Sequence, residues 1–318
     1  MTDSGVSRRS MLAAAASLPL ARPALAAGQA QGLVDAHIHF FTNDLDHYPV
    51  DLRNAREPEE VMRARLLHAP VTPAKMLPLW NRLGIGGGVG VQYSGAYKAD
   101  NRYVLDVADA NPKRVRTEII LNTGDPESPK RLRDLAGTRP VSAIRMTGFV
   151  DADGDLPWLK SPTALQIWTL AQALKLPVGI TYLRPSPMSA ALATIRALSD
   201  KFPACVVMLE HLGWTASNGS EDGLLPEHIA LRGHTNIHFK WTTLNIDALS
   251  NAGIDPAAFL RAAVDAFGAP RLMWGSDFGN TTRPYAGIVA DAQDATRLLN
   301  AAERAAVLGG SARALFRI

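Results

Sequence analysis

A single (β/α)8 barrel is the fold class this sequence predicts, and three observations carry the prediction. From Leu33 onward short β-rich runs alternate with longer helical stretches, eight such runs can be counted, and no Ser/Gly-rich linker cuts the chain in two. Parallel βα units produce this alternation, and eight of them close into a barrel. At 318 residues, with 47 % hydrophobic and 20 % charged residues, the chain is long enough for one such domain and has the balance of a globular protein. The net charge of +3 comes without a run of Lys/Arg interleaved with aromatics, so nucleic acid is not an expected partner.

The first 26 residues stand outside the alternation. SRRSMLAAAASLPLARPALAAG places Arg8 and Arg9 before a short apolar run, and Ala24-Leu25-Ala26 supplies the small-x-small pattern that signal peptidase reads. This order resembles a twin-arginine export signal. Residues 1–26 are therefore expected to engage the twin-arginine machinery transiently and be removed, leaving 27–318 as one domain in the periplasm or secreted. The apolar run is shorter than the roughly 20 residues of a permanent span, so stable membrane insertion is not expected. Cys205 is the one cysteine; it cannot form an internal disulfide and reads as a small core residue in ACVVML.

The first strand, LVDAHIHF (33–40), carries His37 and His39 two apart, which puts both imidazoles on one face. The stretch from Asp44 to Thr72 fits neither strand nor helix pattern and is longer than an ordinary βα loop. Such an excursion caps the active-site end of a barrel or serves contacts between subunits of a homo-oligomer. The second strand, GGVGVQYS (87–94), offers Gln92 and Ser94; its glycine-rich approach has no G-x-G-x-x-G register and leads into a strand, so it is no phosphate loop. VRTEIILN (115–122) is the third, and VSAIRMTG (141–148) brings Arg145. The fifth, PVGITYL (177–183), ends in Tyr182 with Arg184 beyond, and CVVMLEHL (205–212) ends in Glu210-His211. NIHFKWTT (236–243) carries Lys240, with His238 on the same face by parity, and RLMWGSD (271–277) ends in Asp277. Segments such as SPTALQIWTLAQALK and DPAAFLRAAVDAFG, whose apolar residues recur at three and four, supply the helices. Barrel active sites lie at the C-terminal ends of the strands, so these polar strand-end residues share one destination, a pocket for a small-molecule substrate.

The ordered set VDAHIHF, EHLGW and MWGSDFG, with GGSARALF near the C-terminus, resembles the amidohydrolase superfamily. Within it the chain is most similar to the amidohydrolase-related group of dicarboxylate and sugar lactonases and metal-dependent decarboxylases. The resemblance spans Leu33 to Ile318 and implies a distorted TIM-like (β/α)8 barrel of amidohydrolase type. It matches His37 and His39 to the strand-one pair, His211 to the strand-six histidine, and Asp277 to the strand-eight aspartate that handles the attacking water. Where metal-dependent members present a strand-five histidine or a strand-four carboxylated lysine, this chain has Tyr182 and Arg145.

A guanidinium beside the site repels a divalent cation and suits a substrate carboxylate, and Arg145 with Tyr182 resembles the pattern of 2-pyrone-4,6-dicarboxylate lactonase-type hydrolases. The expectation is a lactonase that needs no cofactor: Asp277 takes the proton of water, while His37, His39 and His211 donate hydrogen bonds to the developing oxyanion, with Tyr182 nearby. Arg145 holds a carboxylate, joined by Arg184, Lys240 or Arg283, and Ser94 adds a hydrogen bond. The alternative cofactor is a divalent metal, zinc, on His37, His39, Asp277 and His211, in a hydrolase or decarboxylase. A periplasmic binding protein without turnover is a third reading, and Asp277 argues against it, because binding alone needs no water-activating carboxylate.

Overall fold

The computed structural model describes Met1 and residues 32–55, 57–183, 188–214 and 224–318. The chain divides into Met1–Ala30 and Gln31–Ile318, and the second unit is the subject here. Arg8, Arg9 and the cleavage site of the expected export signal, and Arg184, lie outside the described residues.

All eight strands stand where the sequence places them: β1 (Leu33–Ile38), β2 (Ile85–Val91), β3 (Val115–Ile120), β4 (Val141–Phe149), β5 (Val178–Leu183), β6 (Val207–Leu209), β7 (Ile237–Thr242) and β8 (Leu272–Gly275). They pair in parallel in sequence order. The sheet closes on itself where Asp277 N–H donates to His37 O at 2.8 Å and His39 N–H to Phe278 O at 2.9 Å. Helices follow the strands as the βα pattern requires. In Pro162–Leu174, for example, Ser161 caps the Ala164 N–H, Pro162 opens the first turn, and Ala164, Ile167, Trp168 and Ala171 form the buried stripe.

A buried polar knot strengthens the seam between the first and last strands. Asp35 accepts from the Ser276 N–H (2.8 Å), the Ser276 hydroxyl (2.6 Å), the His37 N–H (3.1 Å) and the Tyr285 hydroxyl (2.8 Å). Tyr285 in turn accepts from Trp80 Nε1 at 2.9 Å. At the end where the strands begin, Phe316 and Ala312 of the last helix, Ser311–Phe316, pack on Val34, Ala36, Val89, Ala143, Met208 and Met273. Arg116 at the start of β3 and Arg313 tie this helix down, donating to the carbonyls of Phe316 (3.1 Å) and Gly32 (2.6 Å) respectively.

Three elements differ from expectation. The 44–72 excursion contains a helix, Glu59–His68, which buries Met62 and Leu66, and a Phe41–Val71 bridge brings the chain back. β2 ends at Val91, so Ser94 opens a short helix, Ser94–Tyr97, rather than ending a strand. β6 stops at Leu209 because the chain turns left-handed at His211, Leu212, Gly213 and Trp214 (φ 52°, 51°, 61° and 57°).

Candidate active site

Four of the residues singled out by sequence converge at the C-terminal mouth of the barrel. The β1–β2 ladder shifts register between Asp35 and Ile38, a bulge that re-aims side chains. Beyond it His37 Nε2 and His39 Nε2 lie 3.2 Å apart. Asp277, itself left-handed at φ 53°, sets Oδ1 at 3.5 Å from His37 Nε2 and 3.4 Å from His39 Nε2. His211 faces them: ligand atoms of His37, His211 and Asp277 fall within 4.8 Å of one another, all three residues buried.

Each group is oriented from behind. His39 Nδ1 meets the Val91 carbonyl at 2.9 Å; a carbonyl only accepts, so Nδ1 carries the proton and Nε2 the lone pair. His211 Nδ1 lies 2.7 Å from the Thr242 hydroxyl, which also reaches Asn245 Oδ1 at 3.2 Å. The left-handed turn that presents His211 costs backbone energy at its non-glycine residues. It is clamped by Asn245 Nδ2 donating to His211 O (2.8 Å) and by Tyr182 Oη donating to Gly213 O (2.8 Å). Asp277 Oδ2 accepts from Asn280 (2.9 Å) and Thr281 (3.2 Å), whereas Oδ1, equally buried, has no hydrogen-bond partner.

Burial keeps His37 and His211 neutral, while Asp277 stays charged. Burial, with Lys240, His39, His211 and Arg145, holds His37 well below its usual range. Burial likewise takes His211 down to about 4 against the pull of Asp277 and Glu210. Burial alone would raise Asp277, but His39, His211 and Asn280 outweigh it and hold the carboxyl below its usual range.

These atoms fit a divalent metal. An ion bonded at about 2.0–2.2 Å to tetrahedral N and O donors holds them roughly 3.3–3.6 Å apart, and the His37–His39–Asp277 triangle measures 3.2, 3.4 and 3.5 Å. Lone pairs on His39 Nε2 and Asp277 Oδ1 face each other without enough protons to pair them, which a cation resolves.

Arg145, expected to repel such an ion, has its charge met by a carboxylate. Its Nε and Nη2 both donate to Glu210 Oε2, at 2.8 and 2.6 Å, so the guanidinium charge is matched beside the site. Burial would raise Glu210, but Arg145 and Lys240 override it and hold it ionised.

Other expectations are corrected by placement. His39 cannot donate to an oxyanion, since its Nε2 bears the lone pair. Tyr182 directs its hydroxyl to the turn backbone. Lys240 is fully buried, bonded to Glu118 and 3.4 Å from Glu210, which leaves it no free face for substrate. Arg283 pairs with Asp247 (3.2 Å) and Asp291 (2.8 Å) of outer helices. Ser94 is half-buried at its helix start. His238 sits toward the lower end of β7 near Arg271, away from the mouth. Sequence reasoning named Glu210 among the strand-end residues without giving it a role, and left out Glu118, Thr242 and Asn245 as site-forming residues; for Glu118 the signal available was an ionisable residue inside an otherwise apolar strand.

A family profile described as amidohydrolase matches residues 34–318. An L-fucono-1,5-lactonase of Burkholderia ambifaria is 28 % identical over 302 residues, covering 90 % of this chain and 95 % of the relative. A Pseudomonas putida protein assigned as a 2-pyrone-4,6-dicarboxylic acid hydrolase superposes with a TM-score of 0.70 at 22 % identity, over 90 % of this chain and 98 % of the other. A dihydroxybenzoic acid decarboxylase from Polaromonas with bound manganese gives 0.63 at 16 %, over 90 % and 97 %. At these identities the two structures speak for the fold alone.

Proposed function

The chain belongs to the amidohydrolase family, and on that premise we propose that it is a hydrolase opening a carboxylated lactone at the barrel mouth. The observation that carries this reading is Asp277 Oδ1, a buried carboxylate oxygen without a hydrogen-bond partner, set beside the rings of His37 and His39. The lactonase activity named for the Burkholderia ambifaria relative supports the substrate class. Arg145 supports the carboxylate: Nη1 has no hydrogen-bond partner among the described residues, since Glu210 takes only Nε and Nη2.

His37, His39 and Asp277, with His211 opposite, would hold a divalent ion, which supplies Lewis-acid polarisation of the lactone carbonyl when bound. Asp277 takes the proton of the attacking water on Oδ1, while Asn280 and Thr281 hold Oδ2 and so keep Oδ1 pointed at the reacting carbon. His211, fixed by Thr242 and the clamped turn, lines the wall facing the carbonyl. Arg145 anchors the substrate carboxylate through its remaining donors, a charge-assisted contact that fixes the ring.

The test is a panel of carboxylated and sugar lactones given to the purified protein before and after metal chelation. The expected result is opening of carboxylated lactones, loss with chelator and return with zinc. No lactone opened by the zinc-loaded protein, or carbon dioxide released from dihydroxybenzoates instead, overturns the reading. We assign residues 1–26 as the twin-arginine signal on the sequence pattern alone. Replacing Arg8 and Arg9 with lysine should then leave folded protein in the cytoplasm, and unchanged periplasmic yield on cell fractionation would refute the assignment.

A further inference from the structure

Beneath the mouth lies a row of fully buried ionisable groups that the proposed reaction leaves unused. Glu118 on β3 bonds Lys240 on β7, and Lys240 Nζ stands 3.4 Å from Glu210 Oε1 at the end of β6. Neither β3 and β7 nor β4 and β6 are neighbours in the sheet, so these contacts run across the barrel interior. The fold makes room for them: a Cβ at position 179 of β5 would displace the Glu118 carboxylate, and Gly179 leaves it its place. Two acids, Glu118 and Glu210, meet two bases, Lys240 and Arg145, and burying such a set is tolerable only when every charge is matched.

The upper end of the row meets the site. His37 Nδ1 is buried with no hydrogen-bond partner, and the acceptor it faces is Glu210 Oε1 at 3.6 Å. The other carboxylate oxygen, Oε2, is taken by Arg145. Lys240 is therefore the group that sets where Oε1 points.

We propose that Lys240 and Glu210 are positioning residues: Lys240 holds Glu210 Oε1 toward His37 Nδ1. Glu210 Oε1 is thereby the acceptor offered to a proton on His37 Nδ1, the proton His37 would carry there once its Nε2 lone pair is given to a cation. The inference rests on His37 belonging to the site described above, not on the identity of the substrate. Carboxylate partners of this kind fix ring orientation and basicity, and their loss weakens metal binding about 10- to 100-fold.

The experiment compares wild type, Lys240→Met, Glu118→Gln and the Lys240→Met/Glu118→Gln double variant, without substrate. Two quantities are read: the thermal unfolding midpoint, and zinc affinity by competition with a chromophoric chelator. Lys240→Met strands Glu118 as an unmatched buried acid, so its unfolding midpoint falls; adding Glu118→Gln removes that acid and restores the midpoint. The proposal requires zinc affinity to stay about 10- to 100-fold low in the double variant. Glu118→Gln alone leaves Lys240 beside Glu210 and should keep zinc affinity. Should Lys240→Met not fold, the double variant carries the same comparison. Wild-type zinc affinity in the double variant would overturn the proposal and reduce Lys240 to a counter-charge for Glu118, and a wild type that binds no zinc would overturn it as well. Zinc affinity is read without lactone, so absence of lactonase activity leaves this test intact.

Discussion

Asp277 separates catalysis from architecture at the scale of one residue. Asp277→Asn keeps the size of the side chain and a carbonyl oxygen for Asn280 and Thr281 but removes the proton acceptor and weakens the hold on an ion, so turnover is read with zinc in excess. Turnover of the lactone should fall by roughly 10²- to 10⁴-fold, the contribution of general-base catalysis, with the fold unchanged by circular dichroism. Near-full turnover would take Asp277 out of the mechanism. His37, His39, His211 and Asp277 were legible in the sequence because each sits at a strand end, where a barrel gathers its polar groups. Lys240 misleads under the same logic, since parity tells which face a side chain occupies but not how deep it lies. Its two acidic partners come from β3 and β6, and sequence distance hides a contact made across a barrel. Arg283 misleads differently, for Asp247 and Asp291 claim it from helices whose faces no strand pattern describes.

Among the elements, the strands were the most legible, because a buried parallel strand reads as a short apolar run between turn residues. The helix Glu59–His68 escaped notice because its apolar residues come in adjacent pairs, Val61-Met62 and Leu66-Leu67, among charges, a pattern matching neither period cleanly. The left-handed turn at 211–214 was signalled only by Gly213; side chains of Tyr182 and Asn245 hold its other residues there. The lower end of β7 gives a prediction in pH. Burial, with the nearby Arg271 charge, takes His238 from an ordinary 6.5 down to about 4. The folded protein thus favours neutral His238, so the contribution is complete above pH 6.5 and is lost as pH falls toward 4. His238→Asn should flatten this part of the stability curve, by on the order of 1–3 kcal/mol between pH 7 and pH 4. Parallel curves for the two proteins in urea unfolding would show that His238 titrates freely.

For the whole molecule, the barrel is closed at one end by its own last helix and opened at the other to substrate. Phe316 is buried against β1, β2, β6 and β8 residues, so Phe316→Ala should cost about 3–5 kcal/mol, read as a shift of the denaturant midpoint. Lactone turnover per folded molecule should hardly change, because the substitution lies at the opposite end from Asp277. A loss below about 1 kcal/mol would mean that the plug contributes little to closing the barrel.

The seam between β1 and β8 joins the two ends of the domain. His37 and Asp277 belong to the first and last strands, so a cation shared between them clasps two points nearly the whole domain apart along the chain. Bound only in the folded state, it stabilises that state by mass action, and closing so long a loop restricts the unfolded chain. Opening the barrel along this seam would have to break the clasp first. The metal-loaded protein should therefore resist endopeptidases longer than the metal-free protein, so an ion held there would also set how long the molecule survives.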